Sequence, residues 1–407
     1  MAFDLTPNPG TAGGVLPLSG VRVVDLTRNL SGPYCTMMLG DMGAEVIKVE
    51  HPAGGDELRG LFRFPGRDPD AEDYFGMWNR NKRSLALDLK TDHGRRVLTD
   101  LIAAGDVFIH NLAPGAVERL GFGWERVREI NGRAVYVTIS GFGPNDPRRA
   151  YDTVIQAASG SMDQTGYADG PPVRSALAVG DLMAAFFAAF TTVNALILAQ
   201  RSGEGTRVDV SMIDCLLALL AGDAAEYLST GGYSGRLGCE TPHRVPHNLY
   251  RTADDRYVFL VSNNDIWPRL CHALDLDAYA TDPRFVTNQD RVEHRELVNA
   301  TLGDRIRQLP AAHVTGQLDA NQVPNSLVAT LAEAIDGLAR ERGMVVEIGG
   351  DLRDGRQPVK VMGPPYRMSQ AQPTVRLGPP RLGEANDYVL HELLGYPRAS
   401  QNNPGGQ

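Results

Sequence analysis

Cysteine is scarce in this chain. Four residues in 407, Cys35, Cys215, Cys239 and Cys271, are scattered without a CxxC or a Cys/His spacing. That argues against a zinc module and against a disulfide framework, and reduced, mostly structural thiols fit a cytosolic protein. Positive charge is also in deficit. Forty Lys and Arg against 49 Asp and Glu leave a net charge of −9, which excludes a general affinity for nucleic acid or anionic membrane but not a local basic patch that holds an anion. The nine histidines show no metal spacing. His243 and His247 are four apart, but "HRVPH" contains a proline, so they do not share a helix face and no metal site is expected. The start, "MAFDLTPNPGTAGG", has no basic region followed by an apolar core, so no signal peptide is expected. Neither a P-loop nor a GxSxG elbow occurs. Long apolar runs are nearly missing too. The exception, Leu182 to Ala199, carries no charge and is close to the ~20 residues that span a bilayer. It contains Thr191, Thr192 and Asn194, and it is expected to be a helix buried in a soluble core.

What is present begins at Val21. "VRVVDLTRNLSGPYCTMMLGDMGAEVIKVE" reads as strand, turn, helix and a second strand ending on Glu50, the opening of a Rossmann βαβ unit. Its turn, "TRNLSGPY", has one glycine where a dinucleotide fingerprint has three. Further strands are expected at "SLALDL", "DVFIH" and "AVYVTIS". Between them lies the helix "DHGRRVLTDLIAAG", with Asp92 as its expected N-cap. The alternation predicts an α/β fold: a parallel sheet with helices on both faces. "RSGEGTRVDVSM" reads as a turn and a strand, and "IDCLLALLAGDAAEYLST" as one helix. From Gly231 to Tyr250 the composition shifts to a glycine-, proline- and histidine-rich loop, followed by a hairpin-like stretch, "YRTADDRYVFLVS", and helices. The expected division is a large domain over residues 1–215, a smaller α+β domain over 225–325, and a C-terminal segment over 330–407. Short strands and a final helix, "NDYVLHELLGY", are expected in that segment, with an unstructured tail "RASQNNPGGQ".

Asp181, at the edge of the apolar helix, is by local rules an N-cap. A carboxylate at a helix mouth in a desolvated site is also suited to nucleophilic attack. Tyr151 and Asp152 open an earlier helix and, alone, read as an ordinary capped start. Arg80, Lys82, Arg83 and Lys90 surround a strand, and Arg119 follows "NLAPGAVERLG". A charge run is usually a solvated face, yet in an acidic chain these are suitable phosphate partners. "HNLAPG", from His110, follows a strand at the carboxyl end of the sheet, where open α/β folds bind ligands.

"GPYCTMMLGDMGAEVIKVE", "NRNKRSLALDLK", "NLAPGAVERLGFGWERVREIN", "AYDTVIQAASG", "DGPP", "VGD", "DPRFVTNQDR" and "RLGEANDYVLHELLG" together resemble the family III CoA-transferases, the group named after carnitine- and bile-acid-inducible enzymes. The resemblance covers nearly the whole chain. It implies a Rossmann-like large domain built from both ends of the chain, with a small inserted domain, in an interlocked homodimer. It implies exchange of CoA between an acyl-CoA and a free carboxylic acid, with no tightly bound cofactor. Asp181 matches the catalytic aspartate, and Tyr151 and Asp152 match positions beside it. CoA-contacting positions fall on Leu30, Ser31, His51, Leu87, Lys90, Asn111, Leu112 and Arg119. The glycine-poor turn is then a wall for the pantetheine arm and nucleotide, and amides at the Asp181 helix start are expected to stabilise oxyanions.

Several departures bear on detail. The family often has Arg at His51. The polyglycine loop of formyl-CoA transferases has no counterpart in "RLGCETPHRVPHNLY", and Leu30 stands where those enzymes carry glutamine, so a formyl/oxalate pair is disfavoured. An α-methylacyl-CoA racemase is the first alternative, but racemases carry histidine where Tyr151 stands, and tyrosine ionises only near pH ~10. A non-catalytic CoA-binding protein is the second. A dinucleotide-dependent dehydrogenase is the third and lacks its fingerprint.

Overall fold

The computed structural model describes residues 15–61, 73–348 and 358–398. The extreme N-terminus read for a signal peptide and the tail from residue 399 onward lie outside these residues. The chain divides into two compact units: residues 1–159, 177–219 and 339–407 form one, and residues 160–176 and 220–338 the other. The expected bounds, 1–215, 225–325 and 330–407, differ from this division at residues 160–176 and 326–338.

The first unit contains β1 (Arg22–Leu26), α1 (Ser31–Asp41), β2 (Glu45–Glu50), α2 (Leu58–Leu61), α3 (Asp73–Asn79), β3 (Lys82–Ala86), α4 (Asp92–Ala103), β4 (Val107–His110), α5 (Ala116–Arg119), α6 (Trp124–Ile130), β5 (Val135–Ser140), α7 (Asp152–Ala158), α8 (Val179–Ser202), β6 (Arg207–Ser211) and α9 (Met212–Leu219). Its six strands form one parallel sheet in the order β3-β2-β1-β4-β5-β6. This is the mixed α/β architecture expected. The order reverses between β1 and β4, and their carboxyl ends open the crevice in which such folds bind ligands.

Strands β1, β2, β4 and β5 are buried on both faces, as inner parallel strands require, whereas the edge strand β6 is exposed at Arg207 and Asp209. Along β1, Val23 joins the apolar cluster under α1, α8 and α9, and the next residue, Val24, joins the opposite cluster. This is the two-residue period of a strand. The first cluster includes Cys35 and Leu39 of α1 and Ala184, Ala185 and Ala188 of α8. Alanines at those positions let α8 approach the sheet and α1 closely. The second contains Val97, Leu98 and Leu101 of α4, with Ala385 and Val389 from the C-terminal segment. That segment docks on the β3 edge: the Asn81 N–H donates to the Leu377 carbonyl at 3.0 Å, and the Ala86 N–H to Asn386 Oδ1 at 2.9 Å. It ends in a short π-helical turn, Tyr388–Leu393.

Three local expectations are corrected. Thr91, not Asp92, caps α4, its side chain accepting from the Gly94 N–H. A chain with Thr and Asp adjacent offers two caps, and the extended residue wins. The helix expected from Ile213 to Thr230 breaks at Leu220 into α9 and α10 (Ala221–Thr230), at the boundary between the units. Finally, α8 is not buried all round. Its alanine face is in the core, while Phe186 and Phe190 are 55% and 60% exposed. By length and composition alone α8 would cross a membrane, but its buried face packs on the sheet.

The second unit holds an antiparallel sheet of β7 (His247–Arg251), β8 (Tyr257–Val261) and β9 (Asn325–Leu327). Its core gathers Val258, Leu260, Trp267, Leu270, Phe285, Leu302 and Leu318. In "DPRFVTNQDR", Thr287 and Asp290 form a capping box. Buried Arg291 donates to the Val245 and Phe285 carbonyls at 2.7 and 2.8 Å, so that motif holds its own unit together. In the first unit, β10 (Val345–Ile348) and β11 (Val359–Met362) form a separate antiparallel pair.

Candidate active site

The turn after β1 carries the first group of expected site residues. Asn29 has φ 60°, a left-handed conformation that Asn tolerates better than most residues. The single glycine, Gly32, is needed for contact. A Cβ there would lie 2.3 Å from the Thr27 Cβ. Asn111, just past β4, bridges the crevice. Its Oδ1 accepts the Arg28 N–H at 2.8 Å, and its Nδ2 donates to the Arg28 carbonyl at 2.8 Å and to Ser31 Oγ at 3.4 Å. Thus Leu30, Ser31, Asn111 and Leu112 lie together at the switch point. Leu87 and Leu112 join the same apolar cluster. His51 and Asp88 meet across neighbouring loops at 3.8 Å, while Lys90 and Arg119 are exposed.

Arg80 and Lys82 are not available to phosphate. Both are buried. Arg80 is bidentate to Asp41 at 3.0 and 2.6 Å, and the Lys82 ammonium lies 3.2 Å from Asp25. Burial pushes the Lys82 amine down to about 8 against the opposing pull of Asp25. Arg83 stacks over Tyr388, 4.4 Å from the ring centroid. A charge run read as a face is in fact split by strand alternation, with Lys82 turned into the protein interior and Arg83 turned outward.

Asp181 is the second correction at this site. It is not an N-cap: α8 starts at Val179, with Ala178 at the cap position and no capping side chain of its own. Asp152, the first residue of α7, does the capping from outside. Its Oδ1 accepts the Gly180 N–H at 2.7 Å and the Asp181 N–H at 3.4 Å, and its Oδ2 accepts from Gln156 Nε2 at 2.6 Å. Gly180 allows this approach, since a Cβ there would sit 3.0 Å from that oxygen. The Asp181 carboxylate is therefore released from local duty. It is partly buried and is pushed up to about 6 by burial first and the Asp152 charge second, opposed by a hydrogen bond from the Ser31 hydroxyl. The start of α8 offers no amides for an oxyanion. Val179 donates to Leu177 at 2.8 Å, Leu182 to Ala178 at 2.9 Å, and the two between them to Asp152. Tyr151 contributes backbone at the α7 N-cap. Its side chain is 70% exposed, and among the described residues it makes no hydrogen bond to Asp181.

Sequence reasoning missed the supports beneath this site, chiefly Lys48, Asp56 and Gln156. One signal was legible: a lysine inside "EVIKVE", a strand that a parallel sheet buries on both faces, requires a buried partner.

The fold is that of an open α/β enzyme whose switch point carries a hydrogen-bonded, glycine-poor turn. Residues 18–386 match the family model described as CoA-transferase family III, and the chain belongs to that family. It is 35% identical to an acetyl-CoA:oxalate CoA-transferase of Acetobacter aceti, over 93% of this chain and 96% of that one. It is 34% identical to a succinate–glutarate CoA-transferase of Agrobacterium fabrum with the same coverage. A crystal structure of a CAIB/BAIF family protein from Brucella suis superposes with a TM-score of 0.82 at 32% identity, covering 93% of this chain and 99% of that one.

Proposed function

We propose that this CoA-transferase moves CoA from an acyl-CoA to a free carboxylic acid through covalent intermediates on Asp181. The observation that carries this reading is the Asp181 carboxylate, partly buried and uncommitted to its own helix because Asp152 caps α8 in its place. The carboxylate attacks the thioester carbonyl, forming a mixed anhydride and releasing CoA thiolate. The thiolate attacks the aspartyl carbonyl, giving an aspartyl-CoA thioester and the free donor acid. The acceptor carboxylate attacks that thioester, giving a second anhydride and CoA thiolate. The thiolate then takes the new acyl group and regenerates Asp181. Each step exchanges one activated acyl group for another, so no nucleotide triphosphate is consumed. Water must be kept out, because anhydride and thioester both hydrolyse. With the α8 amides occupied, oxyanion stabilisation falls to the start of α1, whose first N–H groups, those of Ser31 and Gly32, have no preceding turn to bond.

In this reading Leu30, Ser31, Leu87, Asn111 and Leu112 wall the CoA arm, and His51, Lys90 and Arg119 face its phosphates. The acceptor is a dicarboxylic acid, by likeness to relatives named for oxalate and glutarate. The active form is a homodimer in the cytosol. The exposed apolar face of α8 supports the dimer, and four free thiols support the compartment. Mass spectrometry of the enzyme with an acyl-CoA, with hydroxylamine as trap, tests the mechanism. The expected adduct is on Asp181 and absent in Asp181→Asn, which still binds CoA. An adduct elsewhere, or full transfer by the variant, would overturn it.

A further inference from the structure

We infer that the buried Lys48–Asp56 pair is a positioning device for the transfer site: it holds the Thr27–Leu30 turn in a preformed shape and so fixes the start of α1, where Asn111 meets Ser31. The inference rests on the reading of Asp181 as nucleophile.

The turn has no ladder or helix to satisfy its peptide groups, and side chains take their place. The Thr27 N–H donates to Asp25 Oδ1 at 2.9 Å. The Thr27 carbonyl accepts from Lys48 Nζ at 2.9 Å. Both Arg28 groups go to Asn111. The Asn29 N–H donates to Asp56 Oδ1 at 3.3 Å. Lys48 and Asp56 are joined at 2.9 Å, and both side chains are fully buried. Asp56 also accepts the Leu58 N–H at 3.1 Å, which ties the loop after β2 to the same point.

Burying two charges costs several kcal/mol per ion before their attraction repays it, and apolar residues of similar size commonly serve stability as well or better. What apolar residues cannot supply is a directed hydrogen bond to the Thr27 carbonyl and the Asn29 N–H. Those are the bonds this pair makes. The neighbouring acids do not need Lys48 as their sole cation, since Asp25 keeps Lys82 and Glu50 keeps Arg59 at 2.7 Å. The pair therefore serves the turn. The missing glycine fingerprint is its counterpart: a turn that must be stiff is built from residues with few conformations and many bonds.

The decisive variant is the double replacement Lys48→Met with Asp56→Leu. It removes both charges together and leaves no orphan ion. Its melting temperature is expected near that of the wild type, relief of two buried charges offsetting the unpaired Thr27 carbonyl and Asn29 N–H, while kcat/KM for acyl-CoA falls by ~10²-fold, the scale of a misplaced reacting group. A double variant that melts normally and keeps wild-type KM and kcat overturns the inference. Should it fail to fold, Asp56→Asn decides. Lower stability with wild-type kinetics overturns positioning, whereas a several-fold loss in kcat/KM supports it. Hydrogen exchange on the unaltered protein gives an arm independent of activity. Peptides over Thr27 to Ser31 are expected to be protected without CoA and little changed by saturating CoA. Exchange like an open loop until CoA is added overturns the inference. If the wild type transfers no CoA, the transfer reading falls, while exchange and calorimetric CoA binding still judge the turn.

Discussion

At the scale of the residue, the nucleophilic role proposed for Asp181 makes two measurements specific. Its carboxyl is raised to about 6, so the nucleophilic form is lost below that pH. Transfer is expected to fall on the acid side with an apparent pKa near 6, checked by a kcat profile from pH 4.5 to 8. The same shift has a consequence for stability. A carboxyl raised on folding favours the fold below its unfolded pKa, and that contribution is lost as pH rises through the folded value. Asp181→Asn removes an ion held against burial and the Asp152 charge. The variant is expected to be more stable than wild type at pH 8, by at most about 3 kcal/mol, and equal to it below pH 4. Thermal melts at the two pH values check this. The residue facing the question of racemisation is Tyr151. A side chain 70% exposed, without a hydrogen bond to Asp181 among the described residues, is not placed as the second acid/base that α-proton exchange needs. Incubation of a chiral 2-methylacyl-CoA in D₂O is expected to leave the α carbon free of deuterium.

At the scale of the element, α7 and α8 form one functional unit because one lends the other its cap. Asp152→Ala leaves the Gly180 and Asp181 amides without their acceptor, and a lost cap costs ~1–2 kcal/mol. Asp152→Asn retains an acceptor oxygen but not the charge. The melting temperature is expected to fall clearly in the alanine variant and little in the asparagine variant. The acid limb of transfer is expected to move to lower pH in both, since both remove the charge that raises Asp181. If the limb stays in place while stability falls, the two carboxylates are not coupled as described.

At the scale of the whole molecule, the question is what covers α8. Phe186 and Phe190 lie one turn apart on an exposed face of a helix whose opposite face is buried. These two rings are where the proposed dimer contact is tested. Phe186→Glu with Phe190→Glu is expected to convert the proposed dimer to monomer or to insoluble chain, read by light scattering after size-exclusion chromatography. A wild type that is monomeric at micromolar concentration would remove the dimer from the proposal.

Much of this was legible in the sequence, for a physical reason. Strand and helix periods are local. The β-branched runs at Val21, Ala44 and Ala134 and the amphipathic turns between them identified a parallel sheet, and the order of its segments identified the family. The single glycine in the first turn argues against a dinucleotide fingerprint. What only the tertiary structure decided were the partners of polar groups. Asp181 looks like a cap because caps are judged from neighbours in sequence, yet its helix is capped by Asp152, distant along the chain. Arg80 and Lys82 look like a solvated patch because a one-dimensional run does not reveal that Asp41 and Asp25 await them inside. Charge and hydrogen-bond satisfaction are settled by proximity in space, and proximity is what folding adds.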